Sequence, residues 1–262
     1  MKKPILIGLL AALFAPAASA QNSFNGTWKI DLKTADISKK PDVFLLKDGM
    51  FKCSSCVPPL EVKADGQDQK VTGHPYYDAV SVKIVDDHTV FETEKKGGRV
   101  VGTEKTTVAA NGKTATFEFT DTTDENSAPI TGKGTEIRVA SQPPGSHAIS
   151  GSWRTTRYAN ISDNGLAFTM KVEGDTVVMT NPTGQSYTAT LGGPDAPYKG
   201  DPGVTSVAVK RIGKNTIEET DKRNGKAVSI VRMTVSADGK TMLMAMNDVE
   251  HGRTSRFTAI KQ

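Results

Sequence analysis

The sequence is poor in the residues that most often carry chemistry. Its 262 residues include two cysteines, two tryptophans and four histidines, and aromatics make up 6%. With a single cysteine pair, Cys53-Ser54-Ser55-Cys56, a disulfide-dense scaffold is excluded and a zinc site lacks its other ligands. No histidine follows Cys56, which excludes a c-type haem site, and His88, His147 and His251 are scattered without metal-ligand spacing. Beyond the N-terminus no apolar run approaches the length of a membrane-spanning helix. The formal charge of +4 is too small to argue for nucleic acid or an anionic membrane surface. Nucleophile elbows, zincin helices, phosphate loops and EF-hand loops are all missing. Nothing in the sequence calls for a cofactor, and its residues do not name an enzyme.

What is present begins with an export signal. Lys2 and Lys3 precede the apolar run Ile5–Phe14, and Ala18-Ser19-Ala20 fits a small-residue cleavage site. Residues 1–20 are therefore expected to be a signal peptide cleaved near Ala20, and the protein to be periplasmic or secreted. In that compartment Cys53 and Cys56 are expected to form a structural disulfide. A redox-active pair would sit at a helix N-terminus, whereas this one lies between Met50-Phe51 and the stiff Val57-Pro58-Pro59.

The chain also repeats itself. Gly26-Thr27-Trp28 recurs as Gly151-Ser152-Trp153, and the segment from Thr107 to Thr114 recurs from Thr234 to Thr241. Two units of about 120 residues follow, an ordinary domain size: 21–140 and 148–262, joined by a Pro/Gly linker at 141–147.

Short Val-, Thr-, Ile- and Phe-rich segments separated by turn dipeptides, with no sustained helical period, make both copies all-β. Hairpin turns are expected at Gly97-Gly98, Asn111-Gly112, Asn224-Gly225 and Asp238-Gly239, with another at Asp86-Asp87. Carried outward from these turns, the register predicts an apolar face with Val80, Val82, Phe91, Val100, Thr106, Val108, Phe117 and Phe119. Glu92 and Lys105 fall on the wet face. In the second copy Val231, Met233, Met244 and Met246 point inward and Glu219 outward. Glu104 is the exception in the first copy, a carboxylate among phenylalanines, and Glu218 lies inward at a neighbouring position of the second. About eight strands per copy, one dry face and no exposed edges predict two tandem antiparallel up-and-down β-barrels.

These features resemble lipocalins and their calycin relatives: Gly-x-Trp on the first strand, a β-meander of about 120 residues, and an arginine on the last strand. The chain also resembles exported bacterial proteins with Gly-Thr-Trp-Lys and Asp-Gly-Lys-Thr motifs. The lipocalin likeness implies a cavity for a small apolar molecule and an arginine packed over each tryptophan. The expected pairs are Trp28 with Arg138 and Trp153 with Arg256.

The leading functional expectation is an exported carrier of an apolar or amphipathic ligand. Its lining would be Phe91, Phe117, Phe119, Met233, Met244 and Met246, with Glu104 and Glu218 as polar contacts. His74, Tyr76 and Tyr77 form a candidate rim of the binding mouth. Two alternatives remain: an enzyme using Glu104 as general acid or base, and an envelope interaction or inhibitor module acting through a protein partner.

Overall fold

The computed structural model describes residues 23–262, so the expected signal peptide lies outside the described residues. The described chain folds into twenty β-strands and one 3-10 turn, with no α-helix. The first ten strands are β1 (Gly26–Asp36), β2 (Asp42–Lys47), β3 (Met50–Cys53), β4 (Leu60–Lys63), β5 (Gln69–Lys70), β6 (Ala79–Asp86), β7 (Thr89–Lys96), β8 (Arg99–Val108), β9 (Thr114–Asp121) and β10 (Ile130–Ala140). The second ten are β11 (Gly151–Ile161), β12 (Ala167–Glu173), β13 (Thr176–Thr180), β14 (Ser186–Thr190), β15 (Ala196–Lys199), β16 (Ser206–Gly213), β17 (Thr216–Arg223), β18 (Lys226–Val235), β19 (Thr241–Asp248) and β20 (Arg253–Lys261). They form two ten-stranded antiparallel sheets, one a closed barrel and the other running from β4 round to β5. The second of these is nearly closed: Gly66 N donates to Val82 O at 2.9 Å, and Asp65 bridges Lys83. Each sheet has more strands than the expected eight, because β4, β5 and their counterparts β14 and β15 add short strands.

The repeats and the sheets do not coincide. β1 closes the barrel made of β12–β20, pairing Gly26–Lys29 with β12 and Trp28–Asp31 with β20. β11 lies instead in the first sheet, pairing along β10 and with β2 through Gly151–Trp153. Each copy's Gly-x-Trp strand thus completes the sheet of the other. Residues 141–147 connect β10 to β11 within one sheet, and the chain crosses between sheets at 37–41 and 162–166. The first unit is the continuous run β2–β11; the second is β12–β20 with β1.

The exchange re-pairs the arginines. Arg138 packs over Trp153, with its guanidinium carbon 4.1 Å from the ring centroid. It also donates to the carbonyls of Gly112, Ala148 and Ser150. Over Trp28 lies Lys261, at 4.8 Å. Arg256 is exposed on the outer row beside Ala245 and packs on neither tryptophan. The expected pairs Trp28–Arg138 and Trp153–Arg256 are corrected accordingly. Both indoles are fully buried and donate to a carbonyl four residues back, Trp28 to Phe24 at 2.8 Å and Trp153 to Ile149 at 2.7 Å.

Register departs from expectation at one recurring device. Gly97 and Gly98 both have positive φ, as do Asn224 and Gly225, so the two-residue turns form. Near the first turn Lys95 pairs with Val100 as expected. A bulge then shifts the ladder, so Glu94 pairs with Gly102 and Glu92 with Glu104. The equivalent bulge in β17–β18 pairs Glu219 with Val231. One extra residue exchanges the faces of everything beyond it. The β6–β7 turn comes one residue later than expected and a bulge at Val85 follows it, so Lys83 faces Phe91. Phe91 and Val100 are therefore exposed, at 36% and 40%, while Val90 and Val101 are buried.

Cys53 and Cys56 form the expected disulfide. Among the described residues no helix is long and apolar enough to cross a membrane.

Candidate functional site

The two barrels have different interiors. In the second, Phe24, Trp28, Met170, Val177, Ile217 and Met242 pack into a continuous core. Met233 is buried in it and Met244 packs against it, so neither lines a cavity. Met246 is more exposed and borders clefts at the barrel's end. Glu218 is on the outer face, clamped by Lys210 at 2.8 Å and Arg232 at 2.7 Å, which hold its carboxyl below the usual range. The inward carboxyls of this barrel are Glu219 and Asp221. Tyr187 donates to Glu219, and burial pushes both acids up.

The inner face of the first sheet, with Arg253 of β20, lines an open cavity of about 240 Å³. Glu92 comes from β7, Glu104 from β8 and Glu136 from β10. Phe44, Phe117 and Ile149 provide apolar wall, and Tyr158 of β11 packs edge-on against Phe117 at 5.9 Å. Gly132 and Gly134 of β10 make room for the phenylalanines: a Cβ on Gly134 would sit 2.2 Å from the Phe117 ring. Phe119, next to Phe117 at 6.4 Å, covers Gly132 and stands outside the cavity lining.

None of the three glutamates has a cation partner among the described residues. Glu104 accepts from the Thr106 hydroxyl at 3.0 Å and Glu136 from Thr155 at 3.2 Å. Burial is the main cause of their raised pKa values. It pushes Glu92 to about 8, helped by the negative charge of Glu104 and Glu94. Glu136 rises to about 7 through burial and then Glu104. Glu104 itself is raised by burial, partly offset by the Thr106 hydrogen bond.

The cavity meets an adjoining cleft of about 220 Å³, with Asp42, Thr155, Tyr158 and Arg253 in both walls. Arg253 comes from β20 of the other barrel and pairs with Asp42. Asp42 also accepts from Ser55 at 3.2 Å, within the loop tied by the disulfide. The Arg253 Nε is buried and has no acceptor.

Of the residues expected from sequence, the structure brings Glu104 and Phe117 to this cavity. Phe91 and Glu218 point outward. Tyr76 donates to Asp201 of the second unit at 3.1 Å, so it packs between units. His74 is buried and stacks on Tyr77 with centroids 4.6 Å apart. This loop is a contact between the two units and lies outside the cavity lining.

Sequence reasoning missed Glu92, Glu136, Asp42, Tyr158 and Arg253. A signal for Glu136 existed: Gly132 and Gly134 alternate opposite Phe119 and Phe117, and two residues further on the same face is Glu136. Among the described residues no group of acidic, cysteine or histidine side chains converges to hold a metal ion. Comparison of the chain with protein-family models, with curated proteins and with solved structures finds no match.

Proposed function

We propose that this protein is an exported small-molecule-binding or carrier protein, and that its site is the chamber of the first unit. The observation that carries this reading is one cavity of about 240 Å³ lined both by Glu92, Glu104 and Glu136 and by Phe44, Phe117 and Tyr158. The lining is mainly polar, with Phe44, Phe117 and Ile149 as its apolar part, and convergent polar groups in a concave space can orient a ligand. The lining favours an amphipathic ligand over a purely apolar one, because three carboxyls would stay unsatisfied against hydrocarbon.

The second barrel, packed through its interior, serves as a scaffold and lends Arg253 to the mouth. The signal-like N-terminus and the Cys53–Cys56 disulfide support export. The likeness to lipocalins supports a ligand held inside a barrel.

Native mass spectrometry of the mature protein from its own cells tests the reading. A stoichiometric small molecule, lost in Phe117→Ala, is the expected result. A clean mass, together with failure to bind a panel of amphipathic and apolar probes, would overturn it.

A further inference from the structure

The internal duplication provides a control for the chamber. Strand pairing equates Glu104 with Val231, Thr106 with Met233 and Glu136 with Ala259. In the second barrel these apolar residues fill the space and the core closes over them. The fold therefore packs without carboxyls at these positions. The first unit carries Glu104 and Glu136, each with one threonine hydroxyl and no cation among the described residues, although burying a carboxyl without a cation costs on the order of a few kcal/mol.

Glu92 and Glu104 also stand directly opposite each other, a like-charge pair on neighbouring strands. In the second barrel Tyr187 donates to Glu219, the counterpart of Glu92. Among the described residues of the first unit no hydroxyl takes that place, and Glu92 accepts no hydrogen bond from them. The remaining charged or titratable groups around it are Glu94, Glu136, Asp42, Tyr77, Tyr158 and Arg253. The one cation, Arg253, is already paired with Asp42. Its buried Nε is a donor lacking an acceptor. The cavity thus presents more acceptors than its own lining supplies with donors.

We propose that the ligand of this chamber is a small organic ammonium compound. The ammonium sits between Glu92 and Glu104, with the rest of the molecule against Phe117 and Tyr158. This inference rests on the small-molecule-binding reading above. An ammonium brings three donors and no acceptor, which is what the carboxyls lack. The volume is that of about eight water-sized groups at ~30 Å³ each, so the ligand is of about that many non-hydrogen atoms.

Binding also moves protons. Burial and the neighbouring acids keep Glu92 and Glu136 protonated up to about 8 and about 7. A cation beside them favours the ionised form, so binding expels protons and tightens as pH rises. The ligand amine keeps its own charge over this range, with an ordinary value near that of lysine at about 10.4.

Calorimetric titration of the whole mature protein with 5-aminopentan-1-ol and its uncharged counterpart 1,5-pentanediol, at pH 6 and pH 8.5, tests the inference. The amine is expected to bind about tenfold tighter at the higher pH with net proton release, and the diol about tenfold more weakly than the amine, roughly one pKa unit's worth of interaction in each case. Glu92→Gln and Glu104→Val should each weaken the amine by a similar factor, while Glu218→Gln on the outer face leaves it unchanged. Glu104→Val copies the second barrel, so its fold is expected to hold, and thermal melts check both variants.

Equal affinity for amine and diol, or tighter amine binding at pH 6, overturns the ammonium assignment. So does native mass spectrometry that finds a stoichiometric uncharged molecule, which leaves the binding reading intact. Failure of both probes with no molecule found in the native protein overturns both.

Discussion

Glu92 and Glu104 face each other across β7 and β8, with both side chains lining one cavity. Glu104 was visible from sequence as an inward carboxyl; Glu92 became its partner only through a bulge. The pair turns an expected apolar pocket into an acidic one. It also makes the stability of the protein depend on pH in an unusual direction.

Folding is expected to weaken as pH rises from 5 to 9. Glu92, Glu94 and Glu136 have ordinary values of 4.5 and are raised by burial to about 8, about 7 and about 7. A carboxyl that holds its proton more tightly when folded favours folding fully below the unfolded value. That contribution is lost as pH climbs through the folded value. The effect is on the order of a few kcal/mol between pH 5 and 9. Exposed acids such as Glu118, lowered by Lys133, act in the opposite sense only at more acidic pH. Urea melts across this range should show the decline, and Glu92→Gln should flatten it. Stability that rose towards pH 9 would mean the chamber acids are ionised and paired.

Strand exchange predicts that the two sheets cannot separate after a single cut. A protease site placed in the crossing at 162–166 would divide the chain between β11 and β12. β1 would stay hydrogen-bonded between β12 and β20. The nicked protein is expected to elute as one species on gel filtration and to part only in denaturant. Fragments that separate in native buffer would show that each copy keeps its own first strand.

Arg138 and Arg256 should behave differently. Arg138 satisfies three carbonyls and covers Trp153, so Arg138→Ala is expected to cost about 2–4 kcal/mol. Arg256 is exposed, and Arg256→Ala should stay within about 0.5 kcal/mol. Chemical denaturation of the two variants checks the contrast. Equal losses would restore the pairing of Arg256 with a tryptophan.

Much of the fold was legible because it is local. Alternation in β6, β8 and β9 identified Val80, Val82, Thr106, Val108 and Phe117 as inward, and all five are buried. Register across β8–β9 followed from the Asn111-Gly112 turn, and Thr106 does pair with Phe117. Across β7–β8 the same reasoning failed, and the repeat could not reveal the failure. Both copies carry the bulge at equivalent places, Val101 and Val228, so the two readings agreed with each other while both were one residue out.

The sequence by itself determined the β architecture, the duplication, the disulfide and one inward carboxyl at Glu104. Those rest on period-two patterning, turn chemistry and self-similarity, which act over a few residues or recur along the chain. Which copy each Gly-x-Trp strand completes was settled only in three dimensions, because β1 and β11 share the Gly-x-Trp start and a backbone edge carries no label of its copy. Tertiary structure also decided the composition of the chamber. Glu92, Glu136, Tyr158 and Arg253 come from four strands of two sheets, and only closure of those sheets, bulges included, brings them to one space.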